Sequence, residues 1–191
     1  MEDPYLDIVW KFTRQGRKYA SDFEWLKRDK AVKEKGIVRT LLESLSKTRE
    51  YLNLRQSKVD PPDCVADTSD GDLVGFEVTE LVDQEAIELN EKGEEVYRKW
   101  TDSEIIEKLA GILEEKDSKH YVGGPYLKLI LVIPTAERDL EYQHLATVLQ
   151  SHGFGQTKQV SEAYLLFPRI LPVNGYPCIQ LKIATRDKAQ G

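Results

Sequence analysis

The segment Pro61-Pro62-Asp63-Cys64-Val65-Ala66-Asp67 is followed, after Thr68, by Ser69-Asp70-Gly71-Asp72 and then by Leu73-Val74-Gly75-Phe76-Glu77-Val78-Thr79-Glu80-Leu81. The first and last stretches are rich in residues that suit a pleated strand, and the Asp70-Gly71 pair is a strong hairpin signal. The two prolines force an extended entry to the first strand. We therefore predict two antiparallel strands joined by a tight turn, with positive φ tolerated at both Asp70 and Gly71.

The same hairpin predicts a meeting of two carboxylates. Because side chains alternate along a strand, Glu77 and Thr79 share one face, while Phe76 and Val78 share the other. Folding about the turn sets Asp63 opposite the region of Glu77 to Thr79. The carboxyl groups of Asp63 and Glu77 are therefore expected to converge at one end of the hairpin.

A Pro-Asp pair, a hairpin turn, a Gly-Phe-Glu strand and Glu-x-Thr together resemble the core of the PD-(D/E)xK nuclease superfamily, which includes restriction endonucleases and Holliday junction resolvases. The resemblance rests on residues 61–81. It implies a restriction-endonuclease-like α/β fold, a mixed central sheet flanked by helices, in a single domain. It also implies phosphodiester hydrolysis with Mg²⁺, or Mn²⁺, held by Asp63, Glu77 and the Val78 carbonyl. The chain departs from the superfamily at Thr79, where a lysine is usual.

A lysine from the following helix is the expected replacement, as in some members of that superfamily. Residues 101–104, Thr-Asp-Ser-Glu, form a capping box that opens an amphipathic helix. On its helical wheel Lys116 lies within the apolar sector and Lys108 lies at the border of that sector. Either lysine can reach the carboxylates, and Thr79 would then orient the attacking water. The alternative is an ordinary lysine whose stem covers apolar surface while its ammonium group stays in solvent.

An earlier amphipathic helix is predicted from about Ala31 to Leu54, because its apolar residues recur at helical spacing. Glu34 falls inside the apolar sector of this helix. In the nuclease interpretation, Glu34 would assist a second metal ion. The alternative is a glutamate near a helix N-terminus, where the helix dipole favours a negative charge.

The composition and the absence of certain motifs limit the classes of protein to which the chain can belong. The chain has 191 residues, of which 40% are hydrophobic and 31% are charged, as expected for one globular domain. It contains no apolar run long enough to span a membrane and no signal-peptide pattern, so we expect a cytoplasmic protein without a membrane partner. Phosphate-binding and nucleophile-elbow motifs are absent from the sequence, so nucleotide hydrolysis and serine hydrolase chemistry lack support.

Charge is spread unevenly along the chain. The net charge is -6, yet residues 1–58 hold 14 Lys or Arg against 9 Asp or Glu. Residues 1–30 form a predicted N-terminal arm before a nuclease-like domain at 31–191. Aromatic residues alternate there with basic ones, which predicts contacts to nucleic acid from Lys11, Arg14, Arg17 and Lys18. The alternative is an arm that its aromatic residues anchor to the core.

The remaining elements complete an alternating α/β pattern. Residues 126–134 predict a strand buried on both faces and parallel to one arm of the hairpin. Residues 83–99 predict an acidic helical excursion, residues 138–152 an amphipathic helix, and residues 162–171 and 177–184 two further strands. Cys64 and Cys178 fit neither a metal site nor a disulfide framework, so we expect buried free thiols.

Two functions from different classes remain open on sequence alone. The first is a Mg²⁺-dependent nuclease of the PD-(D/E)xK type. The second is a nuclease-like fold without turnover that acts as a nucleic-acid-binding or protein-interaction module. The sequence leaves open the choice between DNA and RNA, as well as the oligomeric state.

Overall fold

A computed structural model describes residues 30–92, 98–135, 137, 139–168 and 176–185. The described helices are α1 (Lys30–Ser44), α2 (Gln84–Glu91), α3 (Asp102–Asp117) and α4 (Tyr142–Ser151). The strands are β1 (Tyr51–Gln56), β2 (Cys64–Thr68), β3 (Leu73–Val78), β4 (Lys128–Pro134), β5 (Gly153–Thr157), β6 (Glu162–Leu166), β7 (Cys178–Gln180) and β8 (Lys182–Thr185). The predicted nucleic-acid contacts Lys11, Arg14, Arg17 and Lys18 lie outside the described residues, as does nearly all of the predicted arm at 1–30.

The predicted hairpin is confirmed as β2 and β3. The two strands are antiparallel, and Cys64 pairs with Phe76 at the end away from the turn. Continuing this register by one residue places Asp63 opposite Glu77. In the turn, Gly71 has φ 88, whereas Asp70 is not among the described residues with positive φ. The connection is therefore not a type I′ turn, which needs positive φ at both central positions.

The central sheet has six strands in the order β1-β2-β3-β4-β6-β7. β4 runs parallel to β3, as predicted, and also parallel to β6. The pairs β1-β2, β2-β3 and β6-β7 are antiparallel. The fold is thus α/β with a mixed central sheet flanked by helices. A second sheet of two strands is formed by β5 and β8.

Each face of the central sheet carries its own hydrophobic core, because β4 alternates between them. Ile130 and Val132 pack on the α1 side, together with Phe76 of β3. Leu129, Leu131 and Ile133 pack on the other side, with α3 and α4. Neighbouring residues of β3 also face opposite layers, so Glu77 lies on the α3 side.

The helix predicted from about Ala31 to Leu54 is wrong in its second half. α1 ends at Ser44, and the main chain then turns through Ser46, which has φ 56. The Lys47 N–H donates to the Leu42 carbonyl (2.8 Å), which closes the helix end. Tyr51 instead begins edge strand β1, where its ring packs edge-to-face on Phe76 at 5.7 Å between centroids. Tertiary packing outweighs local periodicity here.

The C-terminal strands also differ from the prediction. The run at 177–184 divides into β7 and β8, which belong to different sheets. β5 was not predicted, since its glycines are unfavourable in strands. Cys64 and Cys178 are both free thiols, of which Cys64 is buried and Cys178 is partly exposed. Within the described ranges, no helix has the length and apolar composition needed to cross a bilayer.

Candidate active site

Asp63 lies just before β2, where the two prolines direct the chain into the sheet. Its side chain is held by the Val78 N–H, which donates to Oδ2 (2.7 Å), while Lys30 Nζ lies 3.8 Å from Oδ1. The residue is only 8% exposed. Burial raises the pKa of Asp63 to about 7; the Val78 N–H opposes this shift, and the charges of Glu77 and Glu34 add to it. Asp63 is therefore a buried carboxyl group with two acidic neighbours.

Glu77 lies near the end of β3 and is only 3% exposed. Its Oε1 atom accepts hydrogen bonds from Lys116 Nζ (3.1 Å) and Lys119 Nζ (2.9 Å). Its Oε2 atom is also buried, yet it has no hydrogen-bond partner among the described residues. One oxygen of this carboxylate is therefore paired with two ammonium groups, whereas the other is buried without a described partner.

Lys116 reaches Glu77 from the last turn of α3 and is 8% exposed. The capping box that predicted the start of this helix is confirmed, because Thr101 and Glu104 exchange both hydrogen bonds. With the helix start fixed, its phase turns Lys116 toward the sheet, as the helical wheel predicted. Of the two lysines proposed from the sequence, the structure thus places Lys116 on Glu77.

Lys108 lies elsewhere on α3. It is exposed and precedes Lys116 by about two helical turns. In the described part of the chain, no hydrogen bond or ion pair joins Lys108 to Glu77. Thr79 follows β3 directly, is partly exposed, and donates its N–H to the Val132 carbonyl (3.0 Å). The catalytic roles suggested for Lys108 and Thr79 stay predictions.

Lys119 is a site residue that the sequence interpretation missed. It lies just beyond the C-cap of α3, three positions after Lys116, so the periodicity of the helix does not extend to it. Burial works to lower the pKa of Lys119, but the hydrogen bonds and the charge of Glu77 outweigh burial and raise it. Its side chain is 35% exposed, against 10% for Lys116, so Lys119 also reaches solvent.

Glu34 approaches Asp63 from α1, which packs on the face of the sheet opposite to Glu77 and α3. It is 7% exposed, which confirms that it points inward, and it pairs with Lys30 at 3.3 Å. Its negative charge is one cause of the raised pKa of Asp63. No group of three or more His, Cys, Asp or Glu side chains in the described ranges is arranged to hold a metal ion. The role of Glu34 toward a second metal stays a prediction.

Tyr121 is another neighbour that the sequence did not indicate. Its hydroxyl donates to the Lys116 carbonyl (3.0 Å). Burial raises the pKa of Tyr121, and the charges of Glu77 and Asp63 add to the shift. The phenol therefore stays protonated and fastens the loop after α3 to the end of the helix that carries the lysines.

Comparison with known proteins adds no family to this geometry. No protein-family model matches the chain, and no curated protein matches it.

Proposed function

We propose that this protein hydrolyses phosphodiester bonds in nucleic acid with Mg²⁺ or Mn²⁺, as a nuclease of the PD-(D/E)xK type with a restriction-endonuclease-like fold. One observation carries the proposal. Lys116 comes from α3, the second described helix after the hairpin, and contacts the same glutamate that the motif assigns to the metal. The charge that Thr79 lacks is thus supplied from a different part of the chain.

The oxygen atoms at this site suit a hard divalent cation. Oε2 of Glu77 has no described partner, and Asp63 keeps Oδ1 outside its hydrogen bond to Val78. These two oxygens and the Val78 carbonyl would be the protein ligands, and Mg²⁺ commonly keeps several waters besides. When bound, such a cation supplies an activated water and stabilises negative charge on the phosphate. Its positive charge would also relieve the repulsion between the two carboxylates.

The lysines would then act on the water and on the phosphate. An ammonium group has three N–H donors, so Lys116 can hold Glu77 with one and position the attacking water with another. The Lys116 side chain is buried, and its hydrogen bond to Glu77 holds it at the site. Lys119 is more exposed and can turn from Glu77 toward the phosphate. Thr79 would orient the water from the end of β3.

The second candidate is a binding module without turnover. Two ammonium groups on one carboxylate oxygen also make a self-contained ion-pair cluster, which needs no metal to offset the charge of Glu77. In that case Asp63 joins the two arms of the hairpin through the Val78 N–H, Glu77 joins the hairpin to the end of α3, and neither takes part in chemistry.

Cleavage assays on the whole chain separate these candidates. Single-stranded and duplex DNA and RNA are incubated with Mg²⁺, with Mn²⁺ or with EDTA. We expect metal-dependent cleavage that falls at least ~100-fold in Glu77→Gln and in Lys116→Ala, as for loss of a group that handles the proton or the water. Lys108→Ala is the matched variant on the same helix and decides between the two lysines; because no described contact joins Lys108 to Glu77, we expect it to keep full activity.

Three other outcomes would contradict the assigned residues or the nuclease function. If Lys116→Ala cleaves as well as the wild type while Lys108→Ala does not, the wrong lysine has been assigned. If Glu77→Gln also retains cleavage, the observed activity does not come from this site. No cleavage of any substrate with either metal would favour the binding module.

A further inference from the structure

A cleft of about 530 Å³ lies beside the candidate site. Its walls are residues 120–126, which follow α3, together with Leu129, Lys158, Gln159 and Ser161. The first wall begins one residue after Lys119, whose ammonium group contacts Glu77. The cleft has the size of pockets that bind small molecules or single nucleotides, roughly 300–1,000 Å³.

Both walls of the cleft are fastened to the end of α3. Asp117 accepts hydrogen bonds from the main-chain N–H groups of Lys158 (2.8 Å), Gln159 (2.8 Å) and Val160 (2.9 Å). The Gln159 amide donates to the carbonyls of Asp117 and Lys119. These hydrogen bonds join the wall at residues 158–161 to Asp117 and Lys119, next to the start of the other wall, and so fix the cleft relative to the end of α3.

The lining of the cleft combines an aromatic ring with positive charge. The Tyr126 hydroxyl donates to the Val122 carbonyl, which holds the ring in the wall. A side chain at Gly75 would come within 3.3 Å of this ring, so the glycine leaves room for Tyr126 beside β3. Lys158 supplies the positive charge and is exposed, and none of the lining residues is acidic although the chain has a net charge of -6. Such a surface suits a flat base and a phosphate.

We propose that this cleft binds one unpaired nucleotide beside the scissile phosphate, so that the substrate is single-stranded nucleic acid or carries a single-stranded segment. The inference rests on the proposed nuclease function for the nature of its ligand. A base inside a duplex is stacked and paired and cannot enter such a cleft without being extruded. An unpaired base can stack on Tyr126 while Lys158 contacts its phosphate.

Binding without hydrolysis tests this inference. Fluorescence anisotropy is measured in EDTA with a labelled single-stranded DNA, the RNA of the same sequence, and the corresponding duplexes. We expect single strands to bind at least ~10-fold more tightly than duplexes, and Tyr126→Leu to weaken single-strand binding by ~5-fold or more, the effect of losing one stacked base. The DNA and RNA arms show which sugar the cleft accepts.

Lys158→Ala provides a second readout. Loss of one phosphate contact should lower the slope of log affinity against log salt by about 0.7 for a single strand. Lys92→Ala makes the same charge change at another exposed residue outside the cleft and should leave the slope unchanged. If Tyr126→Leu lowers the melting temperature, Lys158→Ala decides the question, because the Lys158 side chain is exposed.

The two proposals fail in different ways. Equal binding of duplex and single strand, or wild-type binding by both cleft variants, overturns the subsite even if the protein cleaves nucleic acid. Tight single-strand binding that depends on Tyr126 and Lys158, but without cleavage in any metal, overturns the nuclease and keeps the subsite.

Discussion

Burial changes how tightly Asp63 holds its proton. Its pKa is raised from 3.8 to about 7, first by burial and then by the charges of Glu77 and Glu34, against the opposing Val78 N–H. The folded state therefore holds this proton more tightly than the unfolded state. The associated stability is fully present below pH 3.8 and is lost as the pH rises through about 7.

Asp63→Asn should therefore stabilise the metal-free protein in a pH-dependent manner. At a pH above the folded pKa, the wild type carries a buried negative charge that the variant lacks, so we expect a gain on the order of 1 kcal/mol in the free energy of unfolding. At a pH near 5 the native carboxyl is protonated and the gain should shrink. Urea denaturation in EDTA at both pH values measures the difference, with the exposed Asp72→Asn as control. A gain that is the same at both pH values would contradict this explanation.

Metal binding provides the second test at the level of single residues. A cation that binds only the native state raises the melting temperature. We expect Mg²⁺ or Mn²⁺ to raise it for the wild type and to leave Asp63→Asn and Glu77→Gln unmoved. Thermal melts with metal and with EDTA measure this effect. Equal shifts in all three proteins would point to metal binding elsewhere and would favour the binding module.

The sequence predicted those site residues whose side-chain direction follows from one local pattern. Asp63 and Glu77 were paired by the register of one hairpin, and Lys116 was turned inward by the apolar face of one helix. Lys119 was missed because it lies past the helix end, where periodicity gives no guidance. Its contact with Glu77 depends on the path of a loop, which the loop's own residues do not determine.

At the scale of elements, α3 is the helix that determines where the lysines lie. Its start is fixed by Thr101, whose main-chain N–H donates to Glu104 Oε2 (2.8 Å) and whose hydroxyl accepts from the Glu104 N–H (3.3 Å). Such caps were readable from the sequence, whereas β1 and β5 were not. In β1, the packing of Tyr51 on Phe76 outweighs the helical periodicity of the local sequence. In β5, the glycines carry no strand signal.

Thr101→Ala should weaken α3 at its start. We expect a loss of ~1 kcal/mol in the free energy of unfolding, because the main-chain N–H of the first turn loses its acceptor. Ser103→Ala, in the same first turn but not at the cap, should cost much less. Urea denaturation compares the two variants. Lys116 lies at the far end of the helix, so cleavage per folded molecule should not change; a selective loss of cleavage would show that the cap also positions the site.

At the scale of the whole molecule, β4 is the strand that the two cores share. It is hydrogen-bonded to β3 on one side and to β6 on the other, and its side chains enter both hydrophobic clusters. β1, in contrast, is an edge strand whose pairing with β2 is irregular between Leu52 and Arg55. Local opening is therefore easier at β1 than at β4.

Hydrogen exchange should reveal this difference. We expect the β4 amides to exchange only through global unfolding, with a free energy equal to that from denaturant titration. The β1 amides should exchange through smaller openings. Mass spectrometry of peptides covering 51–56 and 128–134 measures both. Faster exchange in β4 than in β1 would mean that the cores do not unfold as one unit.

The order of the site residues along the chain has a consequence for synthesis on the ribosome. Chains emerge N-terminus first, so Glu34, Asp63 and Glu77 are made before Lys116, Lys119 and β4. The hairpin that brings the carboxylates together can close early, but β3 then lacks its parallel neighbour and Glu77 lacks both ammonium groups. A nascent chain therefore has no complete site until the residues up to β4 have been made, and the full charge arrangement forms only when α3 and β4 have packed on the hairpin.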